Sequence, residues 1–265
     1  ADPHALYLDQ AIPGDVERRW FASPGRGERL REAELEVATV EVSPAGTRMQ
    51  LQPSAAATAL GGVLETRMIG EVFAENALAA ALAGLAAGLP AEAVVRGIAA
   101  CPVVPGRFEV LAHGEAQATI AIDYAHSPDA LAHTCDTARR LAKGTGRVIV
   151  VFGAGGDSTP SKRGPMGAAV ASRADLAVVT SDNPRNEDPN AIAAAIVEGL
   201  RGGAANWTIE LDRKTAIRRA IREARAGDVV VIAGKGHEEG QVIRGRSLPF
   251  SDVEVARRCL DRNHP

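Results

Sequence analysis

Beyond Arg107 the chain repeats one pattern, and that pattern leaves few folds open. Continuous apolar runs stand at 119–124, 148–152, 176–180 and 229–233, with helix-like segments between them at 128–141, 166–173, 189–200 and 212–225. A strand with one wet face alternates apolar and polar residues; a strand covered on both faces by helices has no need to. Strand, helix, strand repeated this way predicts a doubly wound α/β domain with a parallel sheet. Such sheets take ligands beyond the carboxyl ends of their strands.

The first hundred residues carry a weaker signal. Segments 37–42 and 48–51 alternate like two strands joined by the turn Ser43-Pro44-Ala45-Gly46. Residues 67–70 lead into an alanine-rich run at 72–89. With Glu75 and Asn76 inside it, that run suits a buried helix better than a membrane span. A second helix opens at Pro90-Ala91-Glu92 and reaches about Ala100. Two prolines and a glycine within 101–106 cannot continue it, so a domain boundary is expected there, dividing 1–102 from 103–265.

Composition narrows the classes. Of 265 residues 46% are hydrophobic and 24% charged, which excludes wholesale disorder. Thirty basic residues against 33 acidic ones leave a net charge of −3, which argues against a general nucleic-acid or membrane-surface binder. Cys101, Cys135 and Cys259 have no metal-ligand or redox spacing, and Ala1-Asp2-Pro3-His4 does not read as a signal peptide. The expectation is a cytoplasmic protein.

Each strand-like run ends in a polar or glycine-rich segment: Asp123-Tyr124-Ala125-His126, Gly153-Ala154-Gly155-Gly156-Asp157, Asp182-Asn183-Pro184-Arg185 and Gly234-Lys235-Gly236-His237-Glu238. Alone, each has a plain reading. The glycine run lacks the spacing of a dinucleotide fingerprint and could be a tight turn. Gly234-Lys235-Gly236 is not a P-loop, and no G-x-x-x-x-G-K-[ST] occurs in the chain. His126 could be an ordinary loop histidine, and Asp182 a helix cap, though Asp188 is better placed for that. Together at strand ends they point to a polar, anionic ligand.

The segments GRFEV (106–110), DYAHSPDAL (123–131), VFGAGGD through KRGPMG (151–167), VVTSDNPRNEDP (178–189) and VIAGKGHE (231–238) resemble the Mur ligases, in order and well spaced. Members of that family have a UDP-binding domain, a central ATPase with a P-loop and a C-terminal Rossmann-like domain. The resemblance implies that residues 1–102 are the tail of the central domain and 103–265 the whole C-terminal one, so that the chain is a piece of, or a shortened form of, such an enzyme. Within 71–80 only Asn76 and the four residues after it match the family.

The resemblance also implies a chemistry. These ligases phosphorylate the terminal carboxylate of a UDP-N-acetylmuramoyl peptide with ATP, using Mg2+, and an amino acid's amine then displaces phosphate. For this chain it implies meso-diaminopimelate as the amino acid and the UDP-N-acetylmuramoyl-dipeptide as its partner, handled by a monomer. Arg185 would grip the distal carboxylate with a planar fork, Asp182 and Glu238 would take the distal ammonium, and Arg163 would bind the other carboxylate. Asn183, Pro184 and Gly234 complete that pocket. Asn76, Arg107, Asp123 and His126 are implied on the ATP side, with no catalytic residue and no metal ligand assigned in this chain. Alternatives are a Mur-type ligase for another amino acid, such as lysine, and a non-catalytic amino-acid-binding module. Arg185 argues against lysine, whose second ammonium it would repel.

Overall fold

Valine- and isoleucine-rich runs form the strands, and serine, aspartate and proline mark where the helices begin. The computed structural model describes residues 9–23, 32–114 and 116–261, so Ala1–His4, read above for a targeting signal, lies outside the described residues. The chain divides into two compact units, Ala1–Pro102 and Val103–Pro265.

The first unit contains a four-stranded sheet in the order β1-β2-β3-β4, formed by β1 (Phe21–Ala22), β2 (Leu35–Ser43), β3 (Gly46–Leu51) and β4 (Val63–Thr66). The hairpin read from the sequence is the antiparallel β2–β3 pair. Its closing Gly46 (φ 147°) has no room for a side chain, because a Cβ there would lie 2.1 Å from the Thr66 carbonyl oxygen. The short helix α1 (Ala55–Ala59) follows β3, its Ser54 hydroxyl accepting from the Ala57 amide. The alanine-rich run is helix α2 (Glu71–Ala86), followed by α3 (Ala91–Ala100). Ala74, Ala77, Leu78, Ala81 and Leu82 of α2 pack with Leu35, Met49 and Leu64 of the sheet and Val94 of α3. Alanine on the buried face lets a helix approach a sheet closely. Among the described residues no helix is long and apolar enough to cross a membrane.

The second unit is the doubly wound domain. Its sheet has six strands in the order β5-β6-β10-β7-β8-β9: β5 (Glu109–Gly114), β6 (Gln117–Asp123), β7 (Val148–Phe152), β8 (Leu176–Val179), β9 (Asn206–Ile209) and β10 (Val229–Ala233). All pairings are parallel except β5 with β6. Strand β10 returns to lie between β6 and β7, so the carboxyl ends of β6, β10, β7 and β8 form one rim. Strands β7 and β10 are buried along their whole length, which is why their sequences do not alternate.

Five helices complete the domain: α4 (Pro128–Leu141), α5 (Arg163–Ala171), α6 (Pro189–Leu200), α7 (Arg213–Glu223) and α8 (Asp252–Asp261). Ile217 and Ile221 of α7 and Val255 and Ala256 of α8 pack on Ile120, Ile149, Val178 and Ile232. Three of the helices begin on side-chain caps, Ser127 for α4, Asp188 for α6 as expected, and Asp212 for α7, each accepting a backbone N–H in the first turn. One expectation moves. The helix placed at 166–173 starts three residues earlier, because a 3₁₀ turn at Pro160–Lys162 feeds it, and Arg163 opens it. A hairpin not read from the sequence, β11 (Gly240–Ile243) with β12 (Arg246–Pro249), follows β10.

Candidate functional site

Parallel pairing of β6, β10, β7 and β8 brings the four chemistry-bearing loops to one end of the sheet. Glycine lets them close in. A Cβ on Gly156 would lie 2.0 Å from the Pro184 carbonyl oxygen, and one on Gly106 would lie 2.4 Å from the backbone of Gly236 and His237. The run at 153–156 is therefore small for close approach between loops, not for a turn: none of its glycines has a positive φ.

Two arginines meet on the β7 loop. Arg185 Nη1 donates to the Gly156 carbonyl at 2.5 Å, and Arg163 Nη2 donates to that of Gly155 at 3.2 Å and to Glu187 Oε1 at 2.9 Å. Arg163 is buried, and its Nε has no hydrogen-bond partner. A buried donor left open beside a loop cluster is where a ligand acceptor is expected. Glu187 is held below the usual carboxylate range by the Arg163 guanidinium and by the Asp157 amide. Arg185 has a left-handed backbone (φ 52°), fixed by its amide donating to the Val242 carbonyl and its carbonyl accepting from the Arg244 amide. Hairpin strand β11 thus carries the loop that follows β8.

Beside these arginines lies an acidic cluster centred on Lys235, one of four lysines in the chain and fully buried. Its Nζ donates to Asn183 Oδ1 (2.9 Å), Glu238 Oε2 (3.2 Å) and the Gly240 carbonyl (2.7 Å), and lies 3.4 Å from Asp182 Oδ1. Asn183 also donates from Nδ2 to Glu238 Oε2 and accepts the Val242 amide on Oδ1. Gln241 donates to the Asp182 carbonyl at 2.8 Å. Asp182 is buried, and its Oδ1 makes no hydrogen bond. Gly234 (φ 116°) runs beside it: a Cβ there would lie 3.5 Å from Asp182 Oδ2. Beneath, the fully buried Arg213 forks onto Asp252 at the start of α8 (2.8 and 2.7 Å) and donates to the Ala233 carbonyl, tying that helix to the end of β10.

The Asn183 amide and Glu238 Oε2 are engaged inside the protein, because Lys235 takes the inner position. Pro184 is buried against Gly156.

The residues implied on the ATP side divide. Arg107 stacks on the Tyr124 ring at 4.8 Å, His126 meets that ring edge-on at 4.7 Å, and His237 lies 5.7 Å away. Lys162 donates to the His126 carbonyl. Asp123 is different. Its Oδ2 accepts the Phe108 amide, and its Oδ1 accepts the Ala125 amide and the Thr134 hydroxyl, which leaves little of it for a ligand. Burial pushes its carboxyl up despite these bonds. Its part is to hold the segment carrying Tyr124 and His126. Asn76 lies on the exposed side of α2 in the first unit. Among the described residues no group of three or more His, Cys, Asp or Glu side chains stands together to hold a metal.

Sequence reading missed Lys235, Gln241 and the hairpin. Lysine between two glycines directly after a buried strand was a usable signal, as was Arg244-Gly245, both at positive φ, between short strand-like runs.

A doubly wound domain with facing cationic and acidic groups on its carboxyl rim is a ligand-binding α/β module. Residues 106–236 match the family described as Mur ligase, glutamate ligase domain. The UDP-N-acetylmuramoyl-L-alanyl-D-glutamate--2,6-diaminopimelate ligase of Solibacter usitatus is 46% identical over 197 residues, 74% of this chain and 39% of that relative. The ligase of the same name from Thermosynechococcus vestitus is 40% identical over 261 residues, 98% of this chain and 50% of the relative. A solved structure of a ligase of that name superposes with a TM-score of 0.64 at 32% identity, covering 98% of this chain and 51% of its own. Folylpolyglutamate synthase of Mycobacterium tuberculosis, solved with ADP and AMPPCP, superposes with a TM-score of 0.57 at 26% identity, covering 88% of this chain and 49% of its own. Residues 106–236 thus form a Mur ligase C-terminal domain. It spans about two fifths to one half of the length of the curated relatives it matches.

Proposed function

We propose that this chain provides the amino-acid-binding part of an ATP-dependent amide-bond-forming ligase of peptidoglycan synthesis, one that adds meso-diaminopimelate to UDP-N-acetylmuramoyl-L-alanyl-D-glutamate. The observation that carries the reading is the juxtaposition on one rim of two arginine forks and a buried carboxylate with an oxygen that makes no hydrogen bond. Diaminopimelate has an amino-acid group at each end, so its recognition needs cations for carboxylates and an acceptor for the spectator ammonium. Arg185 suits the distal carboxylate, Asp182 the distal ammonium, and Arg163 the carboxylate beside the reacting amine. Held at both ends, the molecule would present that amine in one orientation, and positioning of this kind lowers the barrier to attack on an activated acyl group. ATP supplies the activation when bound. Arg107, with the exposed His126 and the Tyr124 ring between them, offers a cationic and stacking surface suited to a nucleotide. The relatives bearing the diaminopimelate ligase name support the amino acid, and the relative solved with ADP and AMPPCP supports the nucleotide.

The test is Arg185→Ala, read as meso-diaminopimelate binding to the chain by titration calorimetry. Truncating one partner of a desolvated charge pair costs about 2–5 kcal/mol. The dissociation constant should therefore rise at least about thirtyfold, with each 1.4 kcal/mol a factor of ten. Lysine has no distal carboxylate, so its binding should not weaken. Equal loss for both ligands would make Arg185 a structural residue and remove the assignment.

A further inference from the structure

We infer that Lys235 is a positioning residue that gives this rim its selectivity for a ligand end carrying an ammonium. An ammonium has three N–H donors. Those of Lys235 are all used, on Asn183 Oδ1, Glu238 Oε2 and the Gly240 carbonyl. Asp182 Oδ1, 3.4 Å from the same nitrogen, is left as a charged neighbour with no hydrogen bond. The lysine thus separates the two carboxylates by role. Glu238 Oε2 is committed inward, where Asn183 Nδ2 also reaches it, and Asp182 keeps an open oxygen in a buried place.

Charge leads to the same assignment. Arg213 and Asp252 neutralise each other, so Lys235 with Asp182 and Glu238 leaves one net negative charge. One negative charge next to the Arg185 cation is the complement of a zwitterionic amino-acid end. Without Lys235, three converging acceptors would lose their shared donor, and the buried Asp182 carboxylate and the part-exposed Glu238 would lie unneutralised. The loop after β8 would then lose its link through Lys235 to the Gly240 carbonyl. Arg185 has separate anchors on Gly156, Val242 and Arg244, so the grip on a carboxylate would outlast the ammonium subsite.

This inference rests on the amino-acid pocket proposed above, and the experiment separates the two. Binding of meso-diaminopimelate and of 2-aminopimelate, which lacks only the distal amine, is measured by calorimetry on the chain and on Lys235→Met. The expected result is tight, selective binding of meso-diaminopimelate by the parent chain. In the variant, affinity for meso-diaminopimelate should fall at least about tenfold, while 2-aminopimelate changes less than about threefold. Equal loss of both ligands, or no loss of either, overturns the role of Lys235 and leaves the pocket standing. A parent chain that binds neither compound overturns the pocket and the inference with it. A second measurement needs no variant. The parent chain has four lysines, so its lysine side-chain ¹⁵N resonances are few. The buried Lys235 resonance should shift on addition of meso-diaminopimelate and hold nearly still with 2-aminopimelate, and a resonance that ignores bound meso-diaminopimelate overturns the proposal.

Discussion

At the scale of single residues, side-chain chemistry could be read from the sequence, and occupancy could not. Polar and charged residues at the strand ends announce a polar, anionic ligand by type, and the resemblance singles out Arg163, Asp182, Arg185 and Glu238 among them. That Lys235 already fills the acidic cluster depends on the carbonyl of Gly240 and the amide of Asn183, which approach it only in the fold. The left-handed backbone of Arg185 was equally hidden, since bonds to residues 242 and 244, far along the chain, hold it. The cysteines carry a residue-scale prediction. Cys135 is wholly buried on α4, and burial pushes its thiol up to about 12, whereas Cys101 is exposed. Only thiolate alkylates quickly. Iodoacetamide at pH 8, followed by peptide mass mapping, should label Cys101 in the native protein and Cys135 only after denaturation. Labelling of both at similar rates would contradict the packing around α4.

At the scale of elements, the apolar runs located the buried strands and Asp188 marked the start of α6, because both are local signals. The β5 strand, the edge strand β9 and the β11–β12 hairpin went unread, since pairing partners rather than composition define them. The end of the sheet opposite the rim has its own clamp. Asp228, just before β10, accepts from Arg147 N (2.8 Å), Nε (3.1 Å) and Nη2 (2.7 Å), and from Arg225 N (3.0 Å). Burial alone would push this carboxyl up, and the bonds from Arg147 and Arg225 outweigh it, holding the carboxyl below its ordinary value. A carboxyl depressed in the folded state contributes stability that is present above the unfolded value, about 3.9, and is lost as pH falls through the folded one. Thermal unfolding should therefore show the parent chain more stable than Asp228→Asn at pH 7, with the gap closing below about pH 4. A gap that persists undiminished at low pH would mean the clamp acts through packing and not through charge.

For the whole molecule, two compact units share one chain, and each has its own buried core. The α/β class of the second unit was legible because its strands, covered on both faces, are continuously apolar. The first unit was read only in pieces, since its two-residue β1 strand and short α1 helix have almost no pattern of their own. The last prediction concerns what these units do without added chain. Phosphoryl transfer from ATP needs a backbone cradle and cations around the β- and γ-phosphates, usually with a metal. The 265 residues contain no G-x-x-x-x-G-K-[ST] motif, and the described residues offer no acidic or histidine cluster for a metal. The proposed amino-acid pocket, by contrast, draws only on residues of the second unit. Binding and turnover should therefore come apart: the 265-residue chain should bind meso-diaminopimelate, yet release no phosphate from ATP above the buffer rate, with or without Mg2+, when assayed beside the UDP-linked dipeptide. Measurable ligation by this chain would show that the phosphates are held by groups other than a P-loop, and the exposed Arg107, His126 and His237 would be the first to replace.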